Sequence, residues 1–263
     1  MSLLNHTDRQ SSSIFSKTPD SDVEIVSNDN VVFYLHKKYL EINIGAFPPA
    51  ETPTNGEPVC LSESSETLEI LFQFVYPRRY PLLETLDFDA LMLLADAAEK
   101  YEVFPLIYAC RSEFRNFLQT NSKSVLAFAA MHDYRELVIR LAPTMLDLSI
   151  PELVNILPNN LLKPCCIYHE SYLNAVKQAA KDVPEHHCGN YTQWYRSLLR
   201  SLSEIMDKPS IIMPRNLDAT FERFLGSLNT SNHCCQKALT TWRDRIKSIV
   251  IALPPLSLPH STA

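Results

Sequence analysis

Residues 22–40 read DVEIVSNDNVVFYLHKKYL, and this stretch decides how the fold begins. Apolar residues alternate with polar ones on either side of Asn28-Asp29-Asn30, which is the period of a half-buried β-strand. An Asn-Asp-Asn sequence tolerates the positive φ angles of a tight turn. The stretch therefore predicts a β-hairpin with strands at 23–25 and 31–35, which runs into the start of a basic helix at His36.

The residues after the hairpin predict a third strand and then helices. The loop 45–58 is rich in proline and glycine, and the short apolar run at 59–61 that follows it fits a strand. Ser64 and Ser65 are candidate helix N-caps, and Pro77 marks the end of the helix that they begin. Apolar residues at helical spacing then predict a helical hairpin from two amphipathic segments, at 91–98 and 103–117.

The rest of the chain predicts further helices between two polar ends. Amphipathic segments lie at 123–131, 134–142 (ended by Pro143), 151–156, 164–182, 192–206, 217–228 and 233–252. These patterns predict the following regions: a disordered tail at 1–20, a first domain at 21–119, a helical extension at 120–182, a C-terminal helical region at 183–253 and a Pro-rich tail at 254–263.

The composition indicates a globular protein and excludes some classes of function. Of the 263 residues, 46% are hydrophobic, which is enough to bury a sizeable core. Four glycines against 18 prolines leave few left-handed turns, so helices should dominate. The net charge of −6, with scattered basic residues, offers no patch for nucleic acid. No apolar run reaches membrane-spanning length, and the polar N-terminal residues lack the charged-then-apolar order of a signal peptide. We therefore expect an intracellular protein, cytoplasmic or nuclear, without membrane contact.

Several segments between residues 20 and 119 occur in an informative order: Ser21-Asp22-Val23, Val31 to Phe33 with His36-Lys37, Leu61-Ser62-Glu63, Leu71 to Tyr76, and LMLLADAAEKYEVFPL at 91–106. In this order they resemble a BTB/POZ domain, most closely of the fungal, basidiomycete-like branch. The resemblance covers under half of the chain, and the helical remainder is similar to the extensions that follow such domains in fungal proteins. It implies an α+β fold, a short β-sheet with helical hairpins, followed by a mainly α-helical extension.

The resemblance implies binding rather than catalysis. Domains of this family self-associate and recruit protein partners, so we expect a homodimer that acts as a scaffold or adaptor. Asp22 and Lys37 lie at opposite ends of the hairpin, which antiparallel pairing brings together, and we expect them to form an ion pair. In the family, an acidic and a basic residue at these positions line a charged pocket at the dimer surface. The alternative is a solvated surface pair that contributes ~0 to 1 kcal/mol.

An alternative function is that of substrate adaptor for a cullin-type ubiquitin ligase. Cullin-binding relatives commonly carry an apolar-x-Glu motif where this chain has Leu86-Asp87-Phe88-Asp89, so the expected Glu is absent. A candidate partner surface combines exposed arginine and aromatic side chains with this segment: Arg78, Arg79, Tyr80, Leu86, Asp87 and Asp89. Trp194 and Trp242 continue apolar helical stripes and are predicted to be core residues.

Histidine and cysteine, the usual zinc ligands, cluster at His186-His187-Cys188 and again at His233-Cys234-Cys235. The candidate ligands are His187, Cys188, Cys234 and Cys235. Adjacent residues on a strand or helix point apart, however, and structural sites usually separate paired ligands by two or more residues. We therefore expect no cofactor and no stoichiometric zinc, with buried thiols beside surface histidines as the simpler interpretation.

The remote alternative is a cysteine hydrolase. Seven cysteines, an odd number, favour reduced thiols over a disulfide framework. The candidate nucleophiles are Cys60, Cys110, Cys165 and Cys166, with His169 one helical turn after Cys165. A helix start after Pro164 would lower the thiol pKa, but no third orienting group is identifiable. The chain also lacks a glycine-rich phosphate loop and the GxSxG and HExxH motifs, so we predict no enzymatic activity.

Overall fold

The computed structural model describes residues 10–189, 191–227 and 233–258, and the chain divides into two compact units, 1–121 and 122–263. The fold is α+β, with a small sheet in the first unit and a majority of helices, as the sequence predicts. The division follows Asn121, two residues after the end of the predicted first domain. The regions predicted at 120–182 and 183–253 belong to one unit.

The sheet has four strands, Gln10–Ser11 (β1), Val23–Val26 (β2), Val31–Leu35 (β3) and Val59–Cys60 (β4), in the order β1-β3-β2-β4. β2 and β3 form the predicted antiparallel hairpin, with Val23 opposite Leu35, and β1 and β4 add to its two sides in parallel. Asn30 in the turn has a φ of 65°, which asparagine tolerates better than most residues.

The predicted tail at 1–20 is wrong for its second half. β1 pairs with β3, and Phe15 is buried against the rings of Phe33 and Phe72, with centroids 6.2 and 6.0 Å away. A two-residue strand and a single aromatic anchor have no periodicity that sequence analysis could detect. Residues 1–9 of this predicted tail lie outside the described residues. At the other end, Leu256 of the predicted Pro-rich tail is buried, and 259–263 are not described.

The helices of the first unit begin at recognisable caps. The Ser64 hydroxyl accepts the Thr67 amide at the start of α2, as predicted, and α2 ends at Val75, before Pro77. Glu102, with a φ of 56°, separates the two helices of the predicted helical hairpin. The helices are α1 (Lys37–Asn43), α2 (Ser65–Val75), α3 (Phe88–Tyr101) and α4 (Phe104–Glu113), followed by a 3-10 turn at Phe114–Phe117.

Gly45 is required where the chain leaves α1 and crosses the end of α3. Its amide donates to the Glu102 carbonyl at 3.3 Å, and the next amide, of Ala46, donates to Tyr101. A Cβ on Gly45 would lie 2.9 Å from the Cβ of Glu102, so only glycine allows this approach.

The second unit consists of helices, and two of its prolines lie within helices where the sequence predicted a helix end and a helix start. Pro143 lies in the first turn of α7 instead of ending a helix at 142, and α9 begins at Asn159, so Pro164 is inside it. The helices are α5 (Ser122–Met131), α6 (Arg135–Arg140), α7 (Ala142–Leu146), α8 (Ile150–Ile156), α9 (Asn159–Lys181), α10 (Tyr191–Asp207), α11 (Pro214–Ser227) and α12 (His233–Ile251), with a 3-10 turn at Pro209–Ile212.

Trp194 and Trp242 are both buried, which confirms their prediction as core residues. The Trp242 indole N–H donates to the Ala179 carbonyl at 2.8 Å, so it joins α12 to α9. The Trp194 indole N–H has no hydrogen-bond partner among the residues that the structure describes.

Candidate functional site

Asp22 and Lys37 meet at the junction between the hairpin and α1, but not as the predicted ion pair. The carboxylate Oδ1 of Asp22 accepts the backbone N–H of Lys37, the first residue of α1, at 2.7 Å. The Lys37 ammonium donates instead to the Thr52 carbonyl, also at 2.7 Å. His36 provides no side-chain cap, so Asp22 satisfies an amide that would otherwise be unpaired at the helix start.

His36 and Tyr76 form a partly buried polar contact beside this junction. The Tyr76 hydroxyl accepts the His36 backbone N–H at 3.0 Å and lies 2.9 Å from His36 Nδ1. Burial raises the pKa of Tyr76 to about 12. His36 Nε2 lies 3.2 Å from a carboxylate oxygen of Asp20.

An apolar cleft of about 90 Å³ opens between α1, the sheet and the loop 45–58. Its lining includes the apolar side chains of Val23, Leu40 and Phe47, and the side chain of Lys37 borders it. On α1 itself Ile42 is 74% exposed. This edge of the first unit therefore presents apolar surface directly beside the exposed carboxylate of Asp22 and the Lys37 side chain.

The exposed aromatic and arginine side chains after α2 are anchored by packing. The Arg78 guanidinium lies over the rings of Phe15 and Tyr76, 5.3 and 5.7 Å from their centroids. Tyr80 stacks on Phe74 with 4.4 Å between centroids. Arg78, Arg79 and Tyr80 are all exposed, so the predicted partner surface is accessible in this loop, although two of its members also have structural contacts.

The segment Leu86 to Asp89 forms the start of α3. The Asp87 carboxylate accepts the Ala90 amide at 2.8 Å and is the N-cap, a role that sequence analysis missed. Leu86 is half-buried, and Asp89 is exposed in the first turn, where a carboxylate interacts favourably with the helix dipole. Helix capping thus accounts for Asp87, and the ubiquitin-ligase alternative stays a prediction.

The candidate nucleophilic thiols are not activated by their surroundings. Burial raises the pKa of Cys110 to about 12 and that of Cys165 to about 12. Cys165 lies in the interior of α9 and not at a helix start, so the expected lowering of its pKa is wrong. His169 Nε2 lies 3.1 Å from the Leu148 carbonyl. Cys60 is exposed and Cys166 is half-buried.

The two histidine and cysteine clusters come together in the second unit. His186 Nε2 lies 3.1 Å from the Cys188 sulfur and 3.2 Å from the Cys235 sulfur, and the two sulfurs are 3.6 Å apart. With the sulfur of Cys234, all four ligand atoms lie within 4.8 Å of one another. Three of the four predicted candidate ligands are therefore in one cluster, and His186 replaces His187.

Sequence analysis missed His186 because it paired adjacent residues. The connection between α9 and α10 carries no helix around residue 186, and in extended backbone residues i and i+2 point to the same side. His186 and Cys188 have this spacing, whereas His187 and Cys188 do not. The signal that identifies the pair is His-x-Cys.

Among the residues that the structure describes, every helix is too short or too polar to cross a lipid bilayer. No family model matches the chain, and no curated protein and no solved structure shows significant similarity to it.

Proposed function

We propose that the first unit is a protein-interaction module of the BTB/POZ type, which associates with a second copy of this chain and recruits protein partners. The order of its elements supports this: a hairpin, a short helix, a further strand, α2 and then the pair α3 and α4. The observation that carries the proposal is the apolar cleft beside the charged junction of the hairpin and α1.

This edge of the unit has the anatomy of an interface between copies. Interfaces combine an apolar centre with a polar rim, and here the cleft supplies the first while Asp22 and Lys37 supply the second. A two-fold interface uses the same patch on both copies. Because opposite charges lie side by side on this edge, each can face its opposite across a two-fold axis, so the patch is self-complementary.

Sedimentation velocity of the full chain tests the proposal. At concentrations on the order of 10 μM, where a dimer with a Kd near ~1 μM predominates, we expect a dimer. Ile42→Glu puts a charge on the exposed surface of α1, the helix that borders the cleft, and should shift the chain toward monomer. The matched control is Ile251→Glu, since Ile251 is 63% exposed at the end of α12, in the second unit.

The charged junction is tested by the double variant Asp22→Asn with Lys37→Gln. An asparagine oxygen still accepts the Lys37 amide, so α1 keeps its cap while the charges are removed. We expect weaker association at low salt with an unchanged melting temperature. A folded wild-type chain that stays monomeric, or dimerisation that is unaffected by Ile42→Glu, would contradict the proposal.

A further inference from the structure

The four-residue cluster in the second unit joins two segments that are distant in sequence. His186 and Cys188 lie in the connection between α9 and α10, and Cys234 and Cys235 lie in the first turn of α12. Cys188 and Cys235 are 47 positions apart in the sequence. Cys235 is fully buried, His186 and Cys188 are partly buried, and Cys234 is exposed. The cluster thus lies at the edge of the unit's core.

The distances match the edges of a metal tetrahedron. With Zn–S bonds of about 2.3 Å and a Zn–N bond of about 2.0 Å, ligand atoms lie about 3.8 Å apart for two sulfurs and about 3.5 Å apart for nitrogen and sulfur. The corresponding separations here are 3.6 Å for the sulfurs of Cys188 and Cys235, and 3.1 and 3.2 Å from them to His186 Nε2. Shifts of a few tenths of an ångström would bring these three atoms to ideal separations, with Cys234 in reach.

Neighbouring contacts position the two segments independently of any ion. Trp242 of α12 donates to the Ala179 carbonyl, and Arg245 of α12 donates to the Asp182 carbonyl at 3.1 Å, so α12 is joined to the end of α9. The His186 ring packs on buried Trp194, with 5.1 Å between centroids. Ligands that are already held close together need little further ordering when an ion binds.

The expectation that adjacent residues point apart and cannot bind one metal ion does not apply to this geometry. Only Cys234 and Cys235 are adjacent, and their sulfur atoms lie within 4.8 Å of each other despite the divergence of neighbouring positions on a helix.

We infer that His186, Cys188, Cys234 and Cys235 form a structural zinc site that fastens the α9–α10 connection to the start of α12. Three thiolates and one imidazole are a ligand set of structural zinc, and four protein ligands leave no open position for a substrate. Binding converts the three thiols to thiolates and releases their protons to solvent, while His186 coordinates through Nε2 with its own proton on Nδ1. This inference replaces the sequence-based expectation of no zinc.

Metal analysis of the full chain, purified under reducing conditions from zinc-supplemented cells, tests the site. We expect about one zinc ion per chain, and replacement by Co²⁺ should give the visible absorption bands of a tetrahedral cobalt thiolate. Cys188→Ser and Cys235→Ser should lower zinc affinity by at least about 10-fold. Removing zinc from the wild-type chain with a chelator should lower the melting temperature reported by tryptophan fluorescence, since both tryptophans lie in the second unit.

Two histidine variants separate loss of the site from loss of the fold. His186→Ala should lose the ion, whereas His187→Ala, one residue away, should retain it. His186→Cys should also retain zinc with four thiolates, so it remains informative if His186→Ala does not fold. A folded wild-type chain without zinc and without cobalt–thiolate bands would overturn the inference, as would equal zinc in His186→Ala and wild type, or a disulfide between Cys188 and Cys235 in reducing buffer.

Discussion

The two units begin their helices in different ways. In the first unit, acidic side chains on the hairpin accept backbone amides of helices that follow it: Asp22 binds the first amide of α1, and Asp29 binds the first amide of α2 at 2.8 Å. In the second unit, prolines occupy the first turns of α7, α8 and α11, where a missing amide costs nothing. The first unit thus adds long-range contacts from the hairpin to the local caps Ser64 and Asp87, whereas in the second unit the helix starts rely on nearby residues, on proline and on the capping box of α8.

The largest expected effect tests whether the apolar core carries the stability of the first unit. Leu94→Asp buries an unpaired carboxylate at a position that is 1% exposed, and should destabilise the unit by roughly several kcal/mol. The matched control is Leu93→Asp, since the adjacent Leu93 is 60% exposed on the same helix and should tolerate the charge. Thermal melting followed by far-UV circular dichroism measures both.

Tryptophan fluorescence of Leu94→Asp sharpens the comparison between the units. Both tryptophans belong to the second unit, so their signal reports on that unit alone. We expect the fluorescence midpoint to shift less than the circular dichroism midpoint. Equal shifts would show that the two units unfold as one, and an unchanged circular dichroism midpoint would show that α3 does not need a buried apolar residue at position 94.

A smaller effect separates the two buried indoles of the second unit. Trp242→Phe removes the hydrogen bond to Ala179 and leaves a buried carbonyl unpaired, so we expect a loss of about 1–3 kcal/mol. Trp194→Phe removes a donor that has no partner among the described residues, so its cost should be lower. Urea unfolding followed by circular dichroism compares them, and a higher cost for Trp194→Phe would show that its packing on His186 matters more than the Trp242 bond.

The smallest expected effect concerns pH and the start of α8. Hydrogen bonds from Lys123 and from the backbone and hydroxyl of Ser149 lower the pKa of Glu152 to about 2. Because this pKa is lower in the folded chain than in the unfolded chain, Glu152 stabilises the fold at pH values above the ordinary carboxyl pKa of 4.5, and the contribution disappears as pH falls toward about 2.

Melting of the second unit between pH 5 and pH 2 measures this contribution. We expect the melting temperature of wild type to fall more over this interval than that of Glu152→Gln, with tryptophan fluorescence as the readout. Exposed Glu170 on α9 supplies the control variant Glu170→Gln. Identical pH profiles for wild type and Glu152→Gln would show that the capping box of α8 does not stabilise the unit.

The sequence predicts those elements whose signals are local. The alternation of apolar residues identifies both strands of the hairpin, and Ser64 and Pro77 bound α2 because a cap and a stop lie next to its ends. Proline is less informative in the second unit, since it marks a helix end only when it follows the last turn. Pro143 and Pro164 lie within helices, so interpreting them as a stop and a start misplaced the end of α6 and the start of α9, and left α7 unpredicted.

Contacts between distant residues are what the sequence could not predict. The hairpin pattern correctly brought Asp22 close to Lys37, but the choice between ammonium and backbone amide as partner depends on where Thr52 lies. The histidine and cysteine residues were recognised as candidate ligands. Their convergence depends on the packing of α12 against α9, which residue types alone do not reveal.

The bond between Asp29 and the start of α2 also has a consequence for variation in loop length. It ties together two points that are 36 residues apart, and the loop 45–58 lies between them. Because both ends are held, lengthening the connection mainly increases the entropic cost of closing the loop. This cost rises by only about 0.6 kcal/mol for each doubling of the loop length. Asn55 and Gly56, both exposed and with φ angles of 53° and 75°, form a turn in this loop. A tag or peptide epitope inserted there should leave the hairpin and α2 in register.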